Sequence, residues 1–255
     1  MRVRSLPNDK CPEKEDRLPQ LALIVPVLEN KERDERITEE YQLLMRPGND
    51  IRVFALKEGP KSLQCASDVV AAGPGILRAI AEAEQAGVQA CMIDCFGDPA
   101  IEAAREVAIV PIVAAGQSGM CLAATLGQSF SVVTVLPETK PHIWNRACAY
   151  GFTSKLASIR DIDMPVLQLR EEREIVQKRL LEESELAIQN DGAHVIVLGC
   201  TGMQGMATSL QQGLKDASLE VPVIDPLHAM IKHAEGLLDM GLSYSRITYR
   251  VPPSQ

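Results

Sequence analysis

The chain is poor in aromatic residues, which make up 4% of its 255 residues with a single Trp. Stacking platforms for nucleic-acid bases are therefore not expected. No run of basic residues occurs, and the formal net charge is −8, which argues against binding to a phosphate backbone. No apolar run approaches the ~18 residues of a membrane span, and no apolar leader follows the N-terminus. The seven cysteines are odd in number and lack the spacing of a disulfide framework. These absences together predict a cytoplasmic protein with reduced thiols and no nucleic-acid or membrane partner. The cysteines then need an account as packing, ligation or chemistry.

Residues 1–19 are charged, proline-containing and aperiodic, and are expected to form a flexible extension. Beyond them, short apolar runs alternate with helical stretches. The runs are 21–28, 51–56, 89–96, 110–115, 130–136, 156–162, 193–199 and 221–225; helical periodicity is clear at 76–87 and 171–192. Continuous apolar runs between helices predict parallel strands covered on both faces, hence an α/β fold. Gly73-Pro74-Gly75 reads as a helix start rather than a phosphate loop.

The pattern repeats. Cys95 and Cys200 each close an apolar run, and each is followed by a helical stretch, a Val-Pro strand (110 and 221) and another helix. The chain thus predicts two copies of a four-strand unit: one lobe from 20–115 plus 225–255, the other from 116–224. Ligands of open parallel sheets bind at the carboxyl ends of strands. Both cysteines sit there, on opposite walls of a shared cleft if the lobes pack face to face.

In Cys95-Phe96-Gly97-Asp98-Pro99, Asp98 reads as an N-cap and Pro99 as the first helical residue. In Cys200-Thr201-Gly202, Thr201 offers a cap hydroxyl and Gly202 a close backbone approach. A helix N-terminus favours thiolate over thiol, and free N–H groups favour an oxyanion. Phe96, Gly97, Asp98, Thr201 and Gly202 are accordingly candidate substrate contacts. Two such thiols suit one reaction class: one removes a proton from a carbon acid and the other returns a proton to the opposite face. Isolated cysteines mostly fill space; two at equivalent repeat positions argue otherwise. Asp94 precedes Cys95 on a strand, so alternation aims it at the opposite face, in a buried structural role. Cys91 lies about 13 Å from Cys95 along a strand, too far to share a zinc, and the four histidines lack ligand spacing. No metal is expected. Cys11, Cys65, Cys121 and Cys148 read as structural or exposed, His228 as structural, and the charged stretch 169–185 as a solvated helix face.

The segments 93–107, 110–139, 191–203 and 221–237 resemble the aspartate/glutamate/hydantoin racemase superfamily, and its hydantoin racemase branch in particular. The resemblance spans 21–250. It implies two Rossmann-like lobes with the active site between them, cofactor-independent racemisation by Cys95 and Cys200, and a homo-oligomer acting on a small molecule, a 5-substituted hydantoin or an amino-acid derivative. Many relatives begin their first strand with an Asn-Pro-Asn-Thr segment that lines the substrate pocket. Here the segment is Val25-Pro26-Val27-Leu28-Glu29-Asn30, which places Pro26 and Val27 in the pocket and leaves substrate identity open. Gly59-Pro60-Lys61-Ser62 resembles the family's Gly-Pro-x-Ser loop and adds Ser62. Maleate isomerase-like or decarboxylase-like chemistry, and a two-lobe ligand sensor, are the alternatives.

Overall fold

The computed structural model describes residues 20–252; the stretch 1–19, expected as an extension, lies outside the described residues. The elements run β1 (Gln20–Leu28), α1 (Lys31–Gln42), β2 (Asp50–Leu56), α2 (Ala66–Gln85), β3 (Ala90–Ile93), α3 (Ile101–Val107), β4 (Ile112–Ala114) and α4 (Ala115–Leu126). The second half repeats them as β5 (Phe130–Thr134), α5 (Lys140–Ala149), β6 (Leu156–Asp161), α6 (Arg173–Gln189), β7 (Ile196–Leu198), α7 (Ala207–Asp216), β8 (Val223–Ile224) and α8 (Pro226–Met240).

The strands form two four-stranded sheets, β2-β1-β3-β4 and β6-β5-β7-β8, and every pairing is parallel. The two orders are the same, so the repeat read from the cysteine-ended strands is a repeat of topology. In each sheet the chain reverses direction between its first and third strands, and this switch point opens a crevice beyond the strand ends. β1 and β3 provide it in one half, β5 and β7 in the other.

Burial follows the apolar runs. Leu21, Leu23, Met92 and Val113 pack on one face of the first sheet with Ile37 and Tyr41 of α1 and Leu227, Met230 and Ile231 of α8. Ala22, Ile24, Cys91 and Ile93 pack on its other face against α2 and α3. The second sheet is covered by α6 and α7 on one side and by α4 and α5 on the other. Two helices therefore change halves: α4 leaves the first sheet to cover the second, and α8 returns to cover the first. Where α4 and α8 meet, a Cβ on Gly119 would lie 3.2 Å from Pro226 Cβ.

Two local expectations are corrected. Gly73-Pro74-Gly75 starts no helix; it lies inside α2. The start is earlier, where the Asp68 carboxylate accepts from the N–H groups of Gln64 (2.9 Å) and Cys65 (3.3 Å). Pro74 is tolerated there because the carbonyl it leaves unpaired belongs to Val70, on an exposed part of the helix. Gly75 marks a close approach instead, since a Cβ would come 2.9 Å from the Glu58 carbonyl oxygen.

Nor does Asp98 cap α3. That helix begins at Ile101 behind Ala100, and both Asp98 and Ala100 have left-handed backbone, with φ of 47° and 57°. Asp98 instead caps α4 from a distance. Its carboxylate accepts from the N–H groups of Gly116 and Gln117 and from the Tyr150 hydroxyl, each at 2.7 Å. α4 has only Ala114 at its own cap position, so its first N–H groups need an acceptor from elsewhere. The Cys95 turn and the helix meet so closely that a Cβ on Gly116 would sit 2.1 Å from the Phe96 carbonyl oxygen.

This capping carries a stability prediction. Asp98→Ala leaves two helix N–H groups and a half-buried phenol without their shared acceptor and should cost about 3 kcal/mol. Tyr150→Phe removes one donor and should cost about 1 kcal/mol. Urea unfolding of both variants, read at constant slope, checks the ratio.

Candidate active site

A cavity of about 890 Å³ lies where the two switch points face each other. The first half contributes Val25 to Asn30 from the end of β1, Lys61 to Cys65, and Asp94 to Gly97 after β3. The second contributes Val135, Glu138, Thr139, His142, and the Gly199 to Gly202 turn after β7. Cys95 and Cys200 thus share one hollow, each half-buried. Their turns are built alike, with a glycine two residues on. The Gly202 N–H donates to Cys200 Sγ at 3.4 Å, so the sulfur itself, rather than Thr201, caps the short helical turn 201–203.

Pro26 explains how the first strand enters the cavity. β1 pairs with β3 only as far as Ile24. Its register with β2 then slips between Val25 and Leu28. Proline offers no N–H to a ladder, so pairing breaks there. The chain resumes with Leu28 N–H on the Pro60 carbonyl at 2.9 Å. The slip brings Pro26 and Val27 to the cavity wall and draws in the loop that carries Ser62.

Of the residues expected at the site, Pro26, Val27, Ser62, Cys95, Phe96, Gly97, Cys200, Thr201 and Gly202 line the cavity. Asp98 does not: it is fully buried, committed to the head of α4. Asp94 departs in the other direction. β3 ends at Ile93, so strict alternation no longer holds at residue 94, and Asp94 lies in the cavity wall with Cys95. Its Oδ2 accepts from the Tyr41 hydroxyl at 3.2 Å.

Tyr41, His142, Gln64, Arg36 and Arg170 also line the cavity and were not expected there. Tyr41 had a legible signal, since Ile37 and Tyr41 are an i, i+4 pair on an otherwise charged helix and are its two buried residues. His142 had none: its ring meets the Gly97 carbonyl oxygen at 2.8 Å, across the two halves. Cys65, read as structural or exposed, lies on the rim. Across the mouth, Arg170 pairs with Glu40 at 2.6 Å, and Gln64 Oε1 accepts from the Val166 N–H at 3.3 Å.

The expected drift toward thiolate is reversed. Burial pushes the Cys95 thiol up, against the pull of the Gly97 N–H. Burial likewise pushes Cys200 up to about 11, with the Gly202 and Met203 N–H groups opposing. Loss of water around the sulfurs outweighs the turn dipoles. Burial also raises Asp94 to about 6, while the hydroxyls of Thr201 and Tyr41 pull the other way. Among the described residues, no group of three or more His, Cys, Asp or Glu side chains is placed to hold a metal ion, and no helix is long and apolar enough to cross a membrane.

Comparison with known proteins agrees with this geometry. The chain is 40% identical over 194 residues to a hydantoin racemase of Rhizobium meliloti, covering 76% of this chain and 78% of that one. It is 37% identical to a hydantoin racemase of Pseudomonas sp. (strain NS671), covering 80% and 81%. An allantoin racemase from Klebsiella pneumoniae superposes with a TM-score of 0.84 at 32% identity, covering 93% of this chain and 95% of that one. The sequence profile of the Asp/Glu/hydantoin racemase family matches residues 35–234, and the chain belongs to that family.

Proposed function

We propose that the chain racemises 5-substituted hydantoins or closely related amino-acid derivatives, without a cofactor, through Cys95 and Cys200. One observation carries this reading: two cysteines at equivalent strand ends of the two sheets line one cavity. A carbon acid held between them meets a sulfur on each face. One sulfur takes the C5 proton, the carbanion flattens into an enolate, and the other thiol delivers its proton from the opposite side. The product is the inverted centre. The ring carbonyl at C4 delocalises the charge, so C5–H is far easier to remove than the α-hydrogen of a free amino acid.

The hydantoin and allantoin racemases similar to this chain act on the same ring by name, which supports the substrate class. The cavity volume lies within the range that encloses small ligands. Pro26, Val27 and Phe96 offer apolar wall, and Ser62 and Thr201 offer hydroxyls for ring oxygens or N–H groups. The alternation of one sulfur per face also explains why no cofactor is needed: proton transfer between positioned groups supplies about 10²–10⁴-fold each way, and a dry, dipolar cavity stabilises the enolate.

Three measurements check the proposal. Proton NMR in deuterium oxide should show C5–H loss from both enantiomers of a 5-alkylhydantoin. Under the same conditions aspartate and glutamate should keep their α-hydrogens. Cys95→Ala and Cys200→Ala should each lose racemisation by at least about 10²-fold, while each retains exchange with one enantiomer, opposite for the two variants. Racemisation that survives in either variant overturns the two-thiol reading. Iodoacetamide labelling of Cys200 should be slow at neutral pH and accelerate about tenfold per pH unit toward about 11, because only the thiolate reacts.

A further inference from the structure

The two cysteine turns are alike in sequence but differ in what stands behind them. The Cys95 turn is closed by the Asp98 N–H on the Cys95 carbonyl oxygen at 3.1 Å, and Gly97 lies at its tip. His142 of α5 packs on that tip from the other half, with Nε2 2.8 Å from the Gly97 carbonyl oxygen. A Cβ on Gly97 would fall 2.9 Å from the imidazole Nε2 and Cδ2 and 3.7 Å from Cys95 Sγ. Ring, tip and sulfur are therefore close-packed neighbours. A carbonyl oxygen can only accept, so the neutral ring must carry its proton on Nε2.

This contact is the first of three. His142, Arg146 and Tyr150 are spaced four apart along α5 and its C-terminal cap, which puts them on one face. Arg146 Nη1 donates to Glu102 of α3 at 2.6 Å, and the Tyr150 hydroxyl donates to Asp98 at 2.7 Å. That face of α5 splints the Cys95 turn and the helix after it. The tip of the Cys200 turn rests on alkyl groups of its own half. A Cβ on Gly202 would lie 2.9 Å from Leu169 Cδ1 and 4.0 Å from Val166 Cγ1.

We propose, on the two-thiol reading above, that His142 is a positioning residue for Cys95 and not for Cys200. Its Nε2–H holds the Gly97 carbonyl, and so fixes the turn on which the sulfur is mounted. Gly97 also carries the N–H that favours the ionised sulfur. The imidazole itself moves no proton in the reaction. One wall of the cavity is then complete only when the second half is seated against it. Racemisation as a whole must slow equally in both directions, because the two enantiomers are equal in energy. Exchange of C5–H with solvent separates the two thiols.

The test uses the full chain and each enantiomer of 5-isopropylhydantoin in deuterium oxide. Cys95→Ala first identifies the enantiomer whose proton Cys95 removes. His142→Phe keeps an aromatic ring without the donor and should slow C5–H loss from that enantiomer at least about tenfold. The other enantiomer should go on losing C5–H at the wild-type rate and take up deuterium with retained configuration. His142→Gln returns an amide N–H to the place of Nε2–H and should recover most of the lost rate, which a merely space-filling ring would not allow. In the unaltered chain, nitrogen–proton correlation spectra in mildly alkaline buffer should show the His142 proton on Nε2; this arm stands if His142→Phe fails to fold. Equal slowing of both enantiomers or wild-type exchange in His142→Phe, no recovery in His142→Gln, or a proton on Nδ1 would each overturn the positioning role. If Cys95→Ala and Cys200→Ala both go on racemising, the two-thiol reading falls instead.

Discussion

Each cysteine turn is tied by a carboxylate to the helix that crosses between the halves, and the cavity depends on those two ties. In the first half, Asp98 belongs to the Cys95 turn and reaches out to the head of α4. In the second, Asp225 belongs to the head of α8, where it accepts from the Leu227 N–H at 3.0 Å and reaches back to the Gly205 N–H at 3.3 Å, beyond the Cys200 turn. The donor and acceptor ends are exchanged, but the constraint is the same. A helix that covers the other sheet is fixed to the loop that presents the sulfur. Orientation of the halves and placement of the thiols are therefore one problem with one solution.

The cost of that solution is visible in the backbone and in the charges. The Cys95 turn holds two non-glycine residues in left-handed conformation, at about 1–3 kcal/mol each. Asp98 is raised to about 6 by burial even while three donors favour its ionised form. Folding thus confines a carboxylate in an apolar setting to keep a turn in place. A folded-state value above the ordinary one means that this carboxyl favours the fold most when protonated, and its contribution declines as pH rises through about 6. Asp94 behaves the same way for the same reason.

Much of the fold was legible because parallel strands buried on both faces leave short, continuous apolar runs, and the duplicated strand-cysteine-glycine unit announced two copies. The sites of failure are specific. Alternation misplaced Asp94 because β3 ends one residue before it. Local cap preference misassigned Asp98 because its partner helix lies eighteen residues on. Pro74 suggested a boundary because the competing signal, Asp68 beneath the N–H groups of Gln64 and Cys65, is stronger and lies upstream. His142 and Gln64 reach the cavity through contacts between halves, which no periodicity encodes. The sulfur environment was misjudged for a related reason: a helix N-terminus can be read from residues, whereas desolvation belongs to the assembled cleft.

That last error bears on how such a cleft works. On the proposed two-thiol reading, a cavity dry enough to sustain an enolate is also dry enough to disfavour the thiolate that would make it, since both are anions and neither is solvated. N–H groups at the turns offset part of this, but Gly202 spends its N–H on Cys200.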